Sequence, residues 1–315
     1  MGRPLRDTAP GKVHLLTCRT AQAELLFIPH PGLNDVVGGV IAHYADKLKI
    51  SLYAVCVLGN HYHILCSGPE AALPRFGESV NREIAHRVNR YLSRRGFVWG
   101  RRYDDQITIE EVDALKGLVY VLTNPVKHGL VNHPRNWPGI STYHQALGAK
   151  PLSYGFINYT EYHRAKKRSA GTAEIVRLAD YEKRTSLQIA ILPLFEQLSP
   201  KERHEKLNAL LEKHIAHLGR KRKTSKQGFL GRKGVLSQPV KGQFPQNISR
   251  SPRPSCYSDS PEQIQAFRET ECERRRAYTE ASTRFRSGDY NVVFPQFTLL
   301  PPMHHIPSIQ PRPPT

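Results

Sequence analysis

Two apolar, strand-like runs, 50–58 and 61–66, are separated only by Gly59-Asn60. A Gly-Asn dipeptide readily supplies the positive backbone angles of a tight hairpin, so the two runs are expected to pair antiparallel. Around that hairpin the apolar pattern switches between strand and helix periods. Residues 13–18 read as another strand, with 24–28 as its hairpin partner. Asn34 is placed to cap a helix whose apolar positions are Val36, Val37, Val40, Ile41, Tyr44 and Leu48. A second helix is expected from Pro74 to Arg95, buried along Phe76, Val80, Ile84, Val88, Tyr91 and Leu92 and stopped by Gly96. Residues 97–109 read as a turn and a strand. A third helix should run from near Glu111 to Asn124-Pro125. Hairpins with helices on one side of the sheet, in place of regular βαβ repeats, make the expected class α+β.

Charge narrows the partner. The chain of 315 residues carries 46 Lys+Arg against 27 Asp+Glu, a formal net charge of +19. A polyanion, nucleic acid first, is the expected partner. The excess lies mostly in the rear, where 151–315 should form a basic appendage to a compact front. The expected division is a domain over 1–148, a basic helical extension over 149–225 and a Pro/Ser-rich basic tail over 226–315. Within the extension, Ser199 with Glu202 makes a capping box for a helix carrying Leu207, Leu210, Leu211, Ile215 and Leu218, with Gly219 as its stop. Arg220-Lys221-Arg222-Lys223 follows, either a solvated run or a set of phosphate contacts. Residues 228–260 read as a flexible linker, 261–286 as a short basic helix, and 295–315 as extended or disordered. No run approaches 18 apolar residues, so no membrane span is expected. The first residues hold no apolar secretory segment, and Arg6 stands where a myristoylation signal needs Ser or Thr. Five cysteines without a CxxC pair fit a reduced, cytoplasmic protein.

The sharpest local feature is His61-Tyr62-His63. Side chains at i and i+2 of a strand share a face, so two imidazoles can grip one divalent metal. Alone, the pair could equally be two structural histidines of a strand. The third helix adds chemistry. At 100° per residue, Leu115, Leu118, Val119, Leu122 and Val126 form one stripe, expected to be the core side. Lys116, Tyr120, Asn124 and Lys127 fall toward the opposite side. A phenol, an amide oxygen and two ammonium groups on one face suit attack on a phosphodiester. Lys116 is the expected helper that lowers the Tyr120 pKa and offsets developing charge. Arg82, Arg87 and Arg90 of the second helix, Arg101 and Arg102 beside Trp99 and Tyr103, and Lys127 of the third helix are candidate DNA contacts. Their alternative is a solvated surface. Cys56 and Cys66 read as small core residues, and His128 and His133 as loop or cap residues.

Taken in order, three segments resemble the single-tyrosine HUH transposases, in the branch of REP-associated tyrosine transposases. They are His61-Tyr62-His63, residues 98–103 (VWGRRY), and residues 120–131 (YVLTNPVKHGLV). Trp137-Pro138 and residues 141–144 (STYH) fit the end of that domain. The resemblance spans roughly 10–148. It implies a ferredoxin-like antiparallel sheet with helices on one face. It further implies that His61, His63 and Asn124 hold Mg²⁺ or Mn²⁺ and that Tyr120 is the nucleophile. The implied activity is cleavage of single-stranded DNA near a hairpin, leaving a 5′-phosphotyrosine link and a free 3′-OH, with later rejoining. Tyr62 is an aromatic where the family has a bulky apolar residue, and on a strand it points away from the histidines. The sequence leaves open whether Tyr120 acts within its own chain or across a homodimer. Two other classes remain open: an inactive, domesticated hairpin-binding protein, and a zinc hydrolase built on His61 and His63.

Overall fold

The computed structural model describes residues 5–171, 175–240 and 256–301. The order is β1 (His14–Arg19), α1 (Pro31–Lys47), β2 (Ser51–Leu58), β3 (His61–Ser67), α2 (Ala72–Tyr91), β4 (Asp104–Thr108) and α3 (Glu111–Lys127). The short α4 (Tyr143–Ala146) leads to β5 (Leu152–Ile157), α5 (Tyr159–Arg168) and β6 (Glu182–Leu187). Then come α6 (Pro200–Thr224), α7 (Gly231–Leu236), β7 (Cys256–Tyr257) and α8 (Pro261–Arg286). No described helix is long and apolar enough to cross a membrane.

The main sheet has the order β2-β3-β1-β4-β7, antiparallel except for the last pair. Its first four strands, with α1 and α2 between them, make the βαββαβ ferredoxin-like arrangement, and the α+β class expected from the hairpin stands. β3 is buried on both faces because alternate residues serve two cores. Tyr62, Ile64 and Cys66 join α1 and α2, whereas Leu65 joins α3 and α6. A bulge at Tyr53 lets Tyr53 and Ala54 both join the α3 side.

Helices therefore cover both faces, which corrects the expectation of helices on one face. The βαββαβ unit by itself does put α1 and α2 on one side. α3 follows β4 and crosses β2 and β3 on the other, and α6 packs over α3. A large apolar surface on the second face, including Leu15, Ala54, Cys56, Leu58 and Leu65, requires such a cover. Gly117 permits the close crossing, since a Cβ there would stand 3.2 Å from Leu65.

Residue 148 is not where packing stops. β5 and β6 form a hairpin that lies on α1, admitted by Gly38 and Gly39. A Cβ on Gly38 would stand 2.6 Å from the Tyr154 ring, and one on Gly39 would strike the Gly155 carbonyl. The extension is thus part of the front body. Within the expected linker, α7 and β7 are ordered elements, and β7 pairs parallel with the β4 edge. The rest of that stretch, 241–255, lies outside the described residues, as does the terminal segment 302–315.

Local boundaries also differ. Residues 24–28 form no strand; a 3₁₀ turn at Ala21–Ala23 leads into them, and Phe27 N–H donates to the Gly59 carbonyl at the hairpin turn. α1 begins at Pro31, capped by His30, whose Nδ1 accepts from Gly32 N–H, while Asn34 instead donates to Pro138 O. α2 ends at Tyr91, with Ser93 at φ 49° just beyond. α3 passes through Pro125 to Lys127, because proline's φ is helical and only one backbone donor is lost. α6 starts with the expected Ser199–Glu202 capping box but runs past Gly219 to Thr224.

Candidate active site

The strand register builds the site from the sheet outward. His61 and His63 share the α3 face of β3, and both are buried. Their ring centroids are 4.9 Å apart, edge to face. Each ring is held from behind. His61 Nδ1 lies 2.6 Å from Asn60 Oδ1, an acceptor, so Nδ1 is the donor of this contact and Nε2 is the ring nitrogen left toward α3. His63 Nδ1 lies 2.7 Å from Thr17 Oγ1, its direct partner across the β1–β3 ladder. Such backing fixes the tautomer and orientation of metal-binding histidines.

α3 brings Tyr120 over this pair. Tyr120 Oη stands 3.4 Å from His63 Nε2, and the two rings meet at 5.0 Å. Lys127 Nζ lies 4.3 Å from the centre of the Tyr120 ring. Burial and then the charge of Lys221 hold the Lys127 pKa below the usual lysine value. Tyr257 of β7 flanks Tyr120 at 6.2 Å between centroids.

Asn124 does not face solvent. Its exposure is 0%, and neither its Oδ1 nor its Nδ2 has a hydrogen-bond partner among the described residues. The buried side of α3 is centred on Ala114, Gly117, Leu118 and Val121, rotated from the expected stripe toward Asn124. The helix is clamped between sheet and α6, so its core side is wider than one stripe. A buried amide with two unused polar atoms is what an additional ligand of the histidine pair would leave when no ion is bound. Among the described residues no three of His, Cys, Asp or Glu gather into one set. Two imidazole nitrogens and an amide oxygen are donors of the kind that divalent ions accept.

The other expected residues lie as follows. Lys116 turns from Tyr120 to Asp259 at 3.0 Å and Asp113 at 3.5 Å. The Asp259 hydrogen bond raises its pKa, so it is a paired surface cation. Arg82, Arg87 and Arg90 belong to α2, on the far face of the sheet from the histidines. Arg82 pairs with Glu78, and Arg87 pairs with Glu83 and lies over Phe156. Arg90 lies over Tyr159. Their position removes them from the histidine face, because α2 must turn its apolar side to the sheet. Arg101 pairs with Asp104 at 2.7 Å, and Arg102 is exposed nearby.

Two neighbours were not foreseen at the site. His128, read as a loop or cap residue, does cap α3, but its ring centroid also lies 5.4 Å from that of His61. Burial, then Lys127, Arg19 and Arg222, push its pKa down to about 4, leaving a neutral imidazole at pH 7. Tyr120, Asn124 and His128 recur every four residues, a spacing that was legible as one helix face. Thr17 was not legible, because only the register sets it opposite His63.

No family profile matches the chain. A protein of Haemophilus influenzae assigned as a REP-associated tyrosine transposase is 31% identical over 108 residues, 31% of this chain and 61% of that protein. The chain is similar to a REP-associated tyrosine transposase. The match spans about three fifths of that relative's length. Among solved structures, a REP-associated tyrosine transposase bound to a REP hairpin aligns with a TM-score of 0.39 at 22% identity, covering 47% of this chain and 86% of that one. A protein of Deinococcus radiodurans assigned as a transposase aligns with a TM-score of 0.28 at 17% identity, covering 36% and 89%.

Proposed function

We propose that the chain is a metal-dependent transposase that cuts and rejoins single-stranded DNA at hairpins through a covalent 5′-phosphotyrosine. The observation that carries this reading is the Tyr120 phenol 3.4 Å from His63 Nε2, above a histidine pair held from behind by Asn60 and Thr17. The similarity to the Haemophilus influenzae REP-associated tyrosine transposase supports the transposase reading, and the net charge of +19 supports a nucleic-acid partner.

His61, His63 and Asn124 would hold Mg²⁺ or Mn²⁺. The ion would polarise the non-bridging oxygens of the bound phosphate. Tyr120 supplies the nucleophile. Its phenol gives up its proton to solvent and its oxygen bonds to phosphorus while the bond from phosphorus to the upstream 3′ oxygen breaks. The 3′ oxygen leaves and takes up a proton, and the downstream strand stays on Tyr120 through its 5′ phosphate. A 3′-OH attacks that link in the reverse step and restores a phosphodiester. One ester is exchanged for another, so no nucleotide cofactor is required. An unperturbed phenol has a pKa near 10, so the attacking form needs positive charge nearby. Lys127 over the ring supplies it, in the place expected of Lys116.

The test is a denaturing gel of the protein with single-stranded hairpin DNA from the palindromes beside its own gene, labelled at the 3′ end, with Mg²⁺ or Mn²⁺. A labelled band at protein size, absent with Tyr120→Phe and with EDTA, is expected. An adduct that persists in Tyr120→Phe refutes the assignment. Tight binding without any adduct points to a binding protein on the same fold, and free cut ends without an adduct point to a hydrolase.

A further inference from the structure

The packing stripe of α6 ends in a cation beside the candidate site. Leu207, Leu211 and Ile215 are buried against the α3 side, and Leu218 is half-buried. The next position of the same helical stripe, four residues on, is Arg222. Its guanidinium lies directly on Gly129, where any Cβ would collide with it. Gly129 has φ 69°, so it serves both the helix end and the room for Arg222. Arg222 is fixed there by donating from Nε at 3.2 Å and from a terminal nitrogen at 2.6 Å to the Gly228 carbonyl. The returning chain is pinned at the same spot, with Leu230 N–H bound to Gly129 O and Gly231 N–H to Leu130 O. Gly129 adjoins His128, whose ring packs edge-on against His61.

Around Arg222 stand exposed Lys127, Lys221 and Lys223. Among the described residues none of these four cations has a carboxylate partner. The negative end of the α3 dipole accounts for one cation at this place, worth about 0.3–1 kcal/mol at a surface. It does not account for four gathered from two helices. Like charges held together without acids are what a polyanion would repay.

We propose that the end of α6, with Lys221, Arg222 and Lys223 beside Lys127, binds the sugar-phosphate backbone of the single strand flanking the cut. This rests on the DNA reading above and deepens it. The partner is the phosphate backbone and not the bases, because the cluster offers three ammonium groups and one guanidinium fork, and its two rings, Phe229 and Tyr120, are each covered by a cation, Arg222 and Lys127. The rear part of the chain thereby supplies strand affinity to a site built by the front.

The experiment uses the full chain and two oligonucleotides, a DNA hairpin with a single-stranded flank and the same hairpin without one. Binding is followed by fluorescence anisotropy over a KCl series for wild type and two variants. Lys221→Gln/Arg222→Gln keeps a donor for Gly228 O, and Lys221→Gln/Lys223→Gln leaves that anchor untouched. Each variant removes two charges, so the log–log salt slope for the flanked DNA should shallow by about 1.4 at ~0.7 per phosphate on a single strand. The slope for the unflanked hairpin should not change. A purely structural Arg222 would alter the melting curve and leave both slopes alone, which overturns the proposal. An equal shallowing on both DNAs overturns it too, because the contact is then to the hairpin. If wild type forms the covalent adduct and the flanked slope is unchanged in both variants, the proposal falls and the transposase reading stands. If wild type neither binds nor forms an adduct, both fall.

Discussion

Replacing Asn124 by leucine should make the metal-free protein more stable while removing its site. Asn124 has 0% exposure, and both of its side-chain polar atoms lack partners among the described residues. An unsatisfied buried amide costs about 1–3 kcal/mol. Leucine keeps the same branched skeleton of four side-chain heavy atoms, with larger methyl ends, and carries no such cost. Taking ~2 kcal/mol, and about 2–4 °C per kcal/mol for a chain of this order, the midpoint should rise by about 4–8 °C. The assay is thermal unfolding in EDTA, followed by circular dichroism, of wild type and Asn124→Leu. Repeating the melts with Mn²⁺ gives the second half. An ion that binds only the folded state raises the wild-type midpoint by linkage, and Asn124→Leu should lose most of that rise. Adduct formation should disappear in the same variant. A drop in the metal-free midpoint would refute the reasoning, because it would mean that the amide has partners worth more than its burial costs. An undiminished Mn²⁺ shift would remove Asn124 from the ligand set.

Other outcomes follow from the same geometry. Thr17→Val removes the 2.7 Å contact behind His63 and should weaken Mn²⁺ binding by about 10–100-fold, read by isothermal titration, with little change in fold. Burial pushes the Asp105 pKa up, but hydrogen bonding and charge from His14 and Arg6 outweigh it and hold the carboxyl below its ordinary value of 3.8. Its stabilising contribution is therefore complete above that value and is lost as pH falls through the lower folded value. Asp105→Ala should cost about 3–5 kcal/mol at pH 7 by stranding buried Arg6, and the loss should shrink in acid, as urea titrations across pH would show. Gly39→Ala would drive a methyl into the Gly155 carbonyl and should loosen the β5–β6 hairpin, seen as faster amide exchange along those two strands.

Reading the chain before its structure succeeded where the determining physics was local. Gly59-Asn60 fixed the hairpin, and the period of two put His61 and His63 on one face. Ser199 and Glu202 marked the start of α6, and the basic helix expected over 261–286 coincides with α8. It failed where a partner distant in sequence decides. The core side of α3 was read from its largest apolar residues, yet α6 and the sheet clamp it from two directions and bury Asn124. Lys116 was preferred to Lys127 as the aid to Tyr120, because nothing local showed that Asp259 would take Lys116 away. The α2 arginines were read from charge alone, and only the topology shows that they face away from the histidines. β5, β6 and β7 carry weak patterns and owe their order to α1 and β4.

The parallel pairing of β7 with β4 has a consequence for the order of synthesis. Ile107 pairs with Cys256, about 150 residues later in the chain. At a synthesis rate of about 5–20 residues per second, the β4 edge stays open for roughly 8–30 s after it emerges. Tyr257, which flanks Tyr120, arrives only then. The histidine face can form while the chain is still on the ribosome, and the β4 edge is covered only by a segment about 150 residues further along. A message truncated before residue 256 would yield the histidines and the tyrosine with an unpaired strand beside them, a template for pairing with other chains.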